Sequence, residues 1–210
     1  MFSSVRFALR CASSIALAML PFASMGQDLP WHLGSLNPAA ASAPSAINTA
    51  GMKPGSYEVV VAVIDSGVLS SHPSLEGRLL PGYDMLSPPL NLRGGRSADY
   101  SPDARDAKCG ERVTSNIFRT HGTEVSSLIA GNGNDGVRGV NPSAKILPIR
   151  LFGSCPIARA DLLDAIAWAA GLPVAGVPAN ANPARIINLS FSGGKHTCGP
   201  DLQGLLDRKS

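Results

Sequence analysis

Six consecutive apolar residues, Val59 to Ile64, stop abruptly at Asp65-Ser66-Gly67. A strand with one wet face alternates apolar and polar residues. A continuous run of this kind, with every residue but Ala62 β-branched, suits a strand buried on both faces of a parallel sheet. Parallel strands cannot be joined by a tight turn, so the rest of the chain has to supply crossovers. It does. Lys145 to Leu151 and Arg185 to Phe191 read as further strands, and Arg78 to Tyr83 as a weaker one. His121 to Ala130 reads as a helix. So does Ala160 to Ala170, with Leu162, Leu163, Ile166 and Ala170 on one face. Another helix opens at Asp201. The expected fold class is α/β, a parallel sheet with flanking helices. Asp84 to Thr120 is polar and broken by glycine and proline, and reads as a long exposed excursion. Gly131 to Pro142 and Pro173 to Pro183 read as loops.

In such sheets chemistry gathers at the carboxyl ends of the strands. Asp65 sits at one such end, and Ser190 to Gly194 at another. A carboxylate on a rigid strand end is suited to orient a base, and Ser66-Gly67 lets the chain turn away. Alone, such an aspartate serves equally as a phospho-acceptor, a metal ligand or a helix cap. His121 begins a His-Gly-Thr segment at the expected helix start. An imidazole there can take the proton of a serine hydroxyl if a carboxylate fixes its tautomer. No Gly-x-Gly-x-x-Gly follows the first strand, which argues against dinucleotide binding.

The chain has 210 residues, 44% of them hydrophobic, enough for one domain with a real core. Net charge is +3. Arg93, Arg96, Arg105, Lys108 and Arg112 cluster, but Asp99, Asp103, Asp106 and Glu111 lie among them, so a solvated loop is expected rather than a nucleic-acid platform. At the start, Arg6 and Arg10 flank an apolar stretch from Cys11 to Ala23, followed by Ser24 and Gly26. Residues 1–26 read as a signal peptide, too short to span a bilayer. The product is expected to be secreted or periplasmic, without membrane contact after cleavage. Residues 27–56, rich in Ala, Pro, Ser and Gly, read as an N-terminal arm, and 57–210 as the domain. Cys109, Cys155 and Cys198 remain after cleavage, without metal-ligand spacing among themselves or to a histidine.

Four segments recur together. They are Val61-Ala62-Val63-Ile64-Asp65-Ser66-Gly67-Val68, His72-Pro73-x-Leu75, His121-Gly122-Thr123-x-Val125, and Ile187-Asn188-Leu189-Ser190-x-Ser192-Gly193-Gly194. Gly139-Val140-x-Pro142 and Ile146 to Arg150 join them. In order and approximate spacing this set resembles the subtilisin-like serine peptidases, notably secreted bacterial members with a disulfide-bearing loop before the histidine helix. The resemblance implies Asp65 as orienting acid and His121 as general base. It implies Ser190, Phe191, Ser192 and Gly193 as the strand edge on which substrate backbone pairs. It brings the expectation of a Cys109–Cys155 disulfide, since both cysteines fall near the same sheet end, with Cys198 free.

The chain departs from the family pattern in several places. Glu124 stands where a second histidine is usual. Ser126-Ser127 replaces Ala-Gly and is expected to loosen the helix contact. Ser74 stands where many members have a calcium-binding aspartate, and the loop Asn132 to Val137 is one residue short, so no metal is assigned there. Asp84, Asp99, Asp103 and Asp106 leave a calcium site open in the long loop, although solvated carboxylates are the commoner case. The family's Gly-Thr-Ser-Met-Ala is not in the sequence, and its nucleophile follows the histidine by about 150–160 residues. The implied function is a secreted serine endopeptidase acting on peptides or proteins. This chain is expected to be a fragment without the nucleophile, inactive by itself. A secreted non-catalytic peptide-binding protein and one part of a split peptidase are the two other readings.

Overall fold

The computed structural model describes residues 58–89, 91, 93–102, 117–151, 157–191 and 199–208. The expected signal peptide and the whole of the expected arm lie outside them. Strand β1 spans Val60–Asp65, and a 3-10 turn follows at Pro73–Leu75. Then come β2 (Tyr83–Asp84), helix α1 (Ile117–Ala130), β3 (Lys145–Arg150), α2 (Arg159–Ala169), β4 (Ile186–Asn188) and α3 (Pro200–Asp207). The strands are parallel and lie in the order β2-β3-β1-β4. β1 pairs with β3 from Val60↔Lys145 to Asp65↔Arg150, and with β4 from Val61↔Ile186 to Val63↔Asn188.

Successive strand residues face opposite sides of a sheet. Val61 and Val63 pack with Ala130 of α1, Ala144 and Ile146 on one side. Ala62 and Ile64 pack with Leu147, Ile149 and the α2 residues Ala165, Ile166 and Ala169 on the other. Both faces of β1 are therefore covered, which accounts for the unbroken apolar run. Full burial of a Val or Ile side chain stabilises by about 1.5–3 kcal/mol, so this strand is a main source of cohesion.

Several elements differ from expectation. Helix α1 begins at Ile117, a full turn before His121, so the histidine is in the helix body rather than at its start. The fourth strand is only Ile186–Asn188, because β1 is its one partner among the described residues. The weak strand splits: Leu79 makes an isolated bridge to Ile146, and regular pairing resumes only at Tyr83–Asp84. On α2 the buried apolar residues are Ala165, Ile166, Trp168 and Ala169, while Leu162 and Leu163 are half-buried. Trp168 is locked twice. Its indole N–H donates to Pro178 O at 2.7 Å, and its ring lies 5.6 Å from that of Tyr83.

The described part of the expected excursion, up to residue 102, is not uniformly exposed. Asp84, Met85, Leu86 and Asn91 are buried. The cause is polar pairing inside the fold. Arg150, fully buried at the end of β3, donates from Nη1 to Asp84 Oδ2 at 2.5 Å. Asn91 Nδ2 donates to Asp84 Oδ2, Leu86 O and Gly95 O. Asp161, buried in the first turn of α2, accepts from Ser87 N at 3.0 Å and from Arg96 Nη2 at 2.8 Å. The loop is thus fastened to both the sheet and α2.

Candidate active site

The end of β1 and the second turn of α1 meet through one hydrogen-bonded pair. The Asp65 side chain is fully buried, whereas that of His121 is 32% exposed. The ring Nδ1 lies 2.8 Å from Asp65 Oδ1 and 3.0 Å from Oδ2. An ionised carboxylate only accepts, so this contact selects the tautomer in which Nδ1–H donates. Nε2 is then the ring atom left to take a proton. Ser66 N–H also donates to Asp65 Oδ1, at 2.7 Å, and so helps to hold the carboxylate in place.

Local sequence explains how the two elements come so close. A Cβ on Gly122 would stand 2.3 Å from Gly67 O and 3.1 Å from Asp65 Cβ, so only glycine lets the helix approach this near. Ser66 Oγ accepts from Gly122 N at 3.2 Å, and Thr123 Oγ1 accepts from Leu69 N at 3.0 Å. Gly67 has φ +95°, the left-handed conformation that turns the chain sharply after the strand. Ser126 Oγ donates to Gly122 O at 2.7 Å, and the Ser127 and Ser74 hydroxyls lie 2.8 Å apart. Ser127 therefore ties α1 to the Pro73–Leu75 turn, whereas the Ser126 hydroxyl is satisfied inside the helix, four residues back.

The subtilase family model, Peptidase S8, matches residues 56–208. This chain belongs to the subtilase family. It is 39% identical over 155 residues to an extracellular protease of Xanthomonas campestris, covering 70% of this chain and 26% of that one. It is 38% identical over 161 residues to an extracellular basic protease of Dichelobacter nodosus, covering 71% and 26%. A solved protease structure from Pseudoalteromonas arctica matches with a TM-score of 0.61 at 39% identity, over 72% of this chain and 46% of that one. The chain thus spans about a quarter of the length of the curated relatives it matches.

Of the other residues singled out in this subtilase sequence, Ser190 is exposed just past β4 and its Oγ accepts from Asn188 Nδ2 at 2.8 Å. Continuing the β1–β4 register would set it level with Asp65. Phe191 is half-buried against the core. Ser192, Gly193, Cys109 and Cys155 lie outside the described residues, as does Cys198. Glu124 is exposed on α1.

The calcium alternative fares unevenly. Asp84 is no solvated carboxylate. Burial raises its pKa above the usual 3.8 while Arg150 opposes the rise, and the guanidinium occupies the side a cation would need. Asp99 is bonded by the Ser101 hydroxyl, which lowers its pKa. Asp103 and Asp106 lie outside the described residues. Among the described residues no three His, Cys, Asp or Glu side chains gather as metal ligands, and no helix is long and apolar enough to cross a membrane. Ser74, buried, also accepts from or donates to His72 Nδ1 at 2.7 Å. The sequence reading missed Ser66 and Thr123 as clasps between strand and helix. Their signal was present, since each is the small polar residue beside a motif glycine.

Proposed function

We propose that these residues form the acid–base half of a secreted serine endopeptidase. The carrying observation is the Asp65–His121 pair, which holds a base with a fixed tautomer at the mouth of a parallel sheet. In this reading His121 Nε2 takes the proton of a serine hydroxyl as that oxygen attacks a peptide carbonyl. It then returns the proton to the departing amine, while Asp65 stabilises the imidazolium. Ser190 and Phe191, with Ser192 and Gly193 after them, provide the edge against which substrate backbone pairs. The names of the two curated relatives support export, as does the apolar stretch behind Arg6 and Arg10. N-terminal sequencing of the exported product should begin near Gln27.

By themselves, these 210 residues should not cleave peptides, because no serine carries the family's nucleophile motif. A pre-set base without a nucleophile forms no acyl-enzyme. The test joins this chain to the downstream part of the Xanthomonas protease and measures casein hydrolysis. The chimera should be active, and His121→Ala or Asp65→Ala should each lower kcat by about 10⁴-fold or more. Undiminished hydrolysis by the chimera carrying His121→Ala would refute the assignment. The chain alone should show neither hydrolysis nor labelling by a serine-directed phosphonate, and His121-dependent activity there would refute the inactivity. Recovery on adding the downstream part as a separate polypeptide would select the split-peptidase reading.

A further inference from the structure

The turn after Asp65 is gripped from two sides. On one side is α1, through Gly122, Ser66 and Thr123 as described. On the other is the backbone arch Asp99–Pro102, which has no sequence motif to mark it. Val68 N–H donates to Tyr100 O at 3.2 Å. A Cβ on Gly67 would stand 2.5 Å from Tyr100 O and 3.0 Å from both Ser101 C and Pro102 N. The arch is therefore in backbone-to-backbone contact with the residue two past Asp65.

Two side chains shape that arch: Asp99 Oδ1 accepts from Ser101 N–H at 3.1 Å and from the Ser101 hydroxyl at 2.5 Å, and Arg93 spans it from outside. Arg93 Nη1 donates to Asp99 O at 2.7 Å, and Nη2 donates to Ser101 O at 2.7 Å and to Ser101 Oγ at 3.3 Å. The two carbonyls it takes flank Tyr100, whose own carbonyl is left to meet Val68. The guanidinium also lies 3.4 Å from the Asp99 carboxylate and 3.8 Å from Asp84 Oδ2, with its side chain 14% exposed. Its backbone is anchored too, because Arg93 N–H donates to Asn91 Oδ1 at 2.8 Å and Asn91 is held by the buried Asp84. A planar fork can satisfy two carbonyls on either side of a residue at once, which a lysine ammonium on a flexible stem cannot match in geometry.

We propose that Arg93 is a positioning residue for the Asp65–His121 pair. It acts through the arch. By holding the carbonyls of Asp99 and Ser101, it seats Tyr100 O on Val68 N–H and presses the arch on Gly67. That fixes the turn whose far side receives α1 at Gly122, one residue beyond His121. The assignment rests on the acid–base reading of the pair. It adds a control point contributed by a loop about thirty residues from either partner in sequence.

The test uses the full chain with labelled histidine, and compares wild type with Arg93→Met and Arg93→Lys. One readout is the low-field Nδ1 proton of His121 bonded to Asp65. The other is amide exchange at Val68 and Leu69, with Val61 to Ile64 as the internal reference for global stability. In both variants the His121 proton signal should broaden or vanish. Val68 exchange should rise by about tenfold or more, the change expected from losing a charge-assisted hydrogen bond, while the reference amides stay protected. An unchanged His121 signal beside fast Val68 exchange would overturn the proposal and leave Arg93 as loop support only. An unchanged Arg93→Lys variant would also overturn it, since the fork is then dispensable. If Arg93→Met unfolds, shown by loss of the reference amides, Arg93→Lys decides. Absence of the low-field proton in wild type itself would instead count against the acid–base pair.

Discussion

Replacing Gly122 by alanine should loosen the contact between α1 and β1, although alanine is the better helix former. The intrinsic gain is about 1 kcal/mol. Against it stands a methyl group built 2.3 Å from Gly67 O and 3.2 Å from Asp65 Oδ1. Ordinary contact begins near 3.4 Å, so the helix has to retreat by roughly an ångström from a backbone carbonyl that cannot rotate away. Overpacking of this kind costs about 1–3 kcal/mol, and stretching the Asp65–His121 bond adds about 1.5–3 kcal/mol more. The net is a loss of about 1.5–5 kcal/mol. Gly204 in α3 supplies the opposing control. A Cβ there meets nothing within 4 Å, so Gly204→Ala should stabilise by about 0.5–1 kcal/mol. Pulse proteolysis across a urea gradient, at low protein concentration, reads both midpoints. A Gly122→Ala midpoint at or above wild type would refute the argument that backbone approach here excludes a side chain.

Arg150→Met should destabilise at neutral pH by about 3–5 kcal/mol, because it strands a buried Asp84 carboxylate. The Asp84 carboxyl already titrates above 3.8, and losing Arg150 raises it further, so the stability it brings is present in full below 3.8 and lost as pH rises through the folded value. A deficit measured by urea denaturation that is constant from acid to neutral pH would contradict this. β4 pairs on one side only among the described residues, and Ile186 is 51% exposed on it. Sedimentation velocity should therefore show concentration-dependent association that Ile186→Lys suppresses, since a charge on an edge strand opposes pairing with other chains. Wild type that stays monomeric at all concentrations would count against it. Peptide mapping without reduction should link Cys109 to Cys155 and leave Cys198 free, a closure worth about 3–4 kcal/mol. A map joining Cys198 to either would replace this pairing.

The sheet was legible because β1 and β3 are buried on both faces, and burial of that kind writes itself as an unbroken apolar run. Asp65 and His121 were legible because glycine and small hydroxyl residues beside them mark close backbone approach. The loop after Asp84 was not. Its buried residues include Asp84 and Asn91, which look like solvated loop residues until Arg150 is known to stand opposite. That pairing spans two elements distant in sequence, and no local pattern encodes it. The first turn of α1 was missed because cap-forming residues precede both Ile117 (Asn116) and His121 (Thr120), so the local pattern does not choose between the two starts. Arg93 reads as one member of a mixed charge cluster, and it does face Asp99 and Asp84, but it also takes the carbonyls of Asp99 and Ser101, which a sequence does not display.

The interior place of β1 has a consequence for synthesis. Among the described strands, the one that emerges first is flanked by strands that emerge far later, since Val60 pairs with Lys145 and Val61 with Ile186. At about 5–20 residues per second, a nascent chain holds this β-branched segment without either neighbour for several seconds or more. Sheets closed by such distant partners fold slowly, because loop-closure entropy is spent before the contacts form. The stretch Val59 to Ile64, silent in the finished fold, is therefore left open to chaperones and to aggregation while the chain is being made.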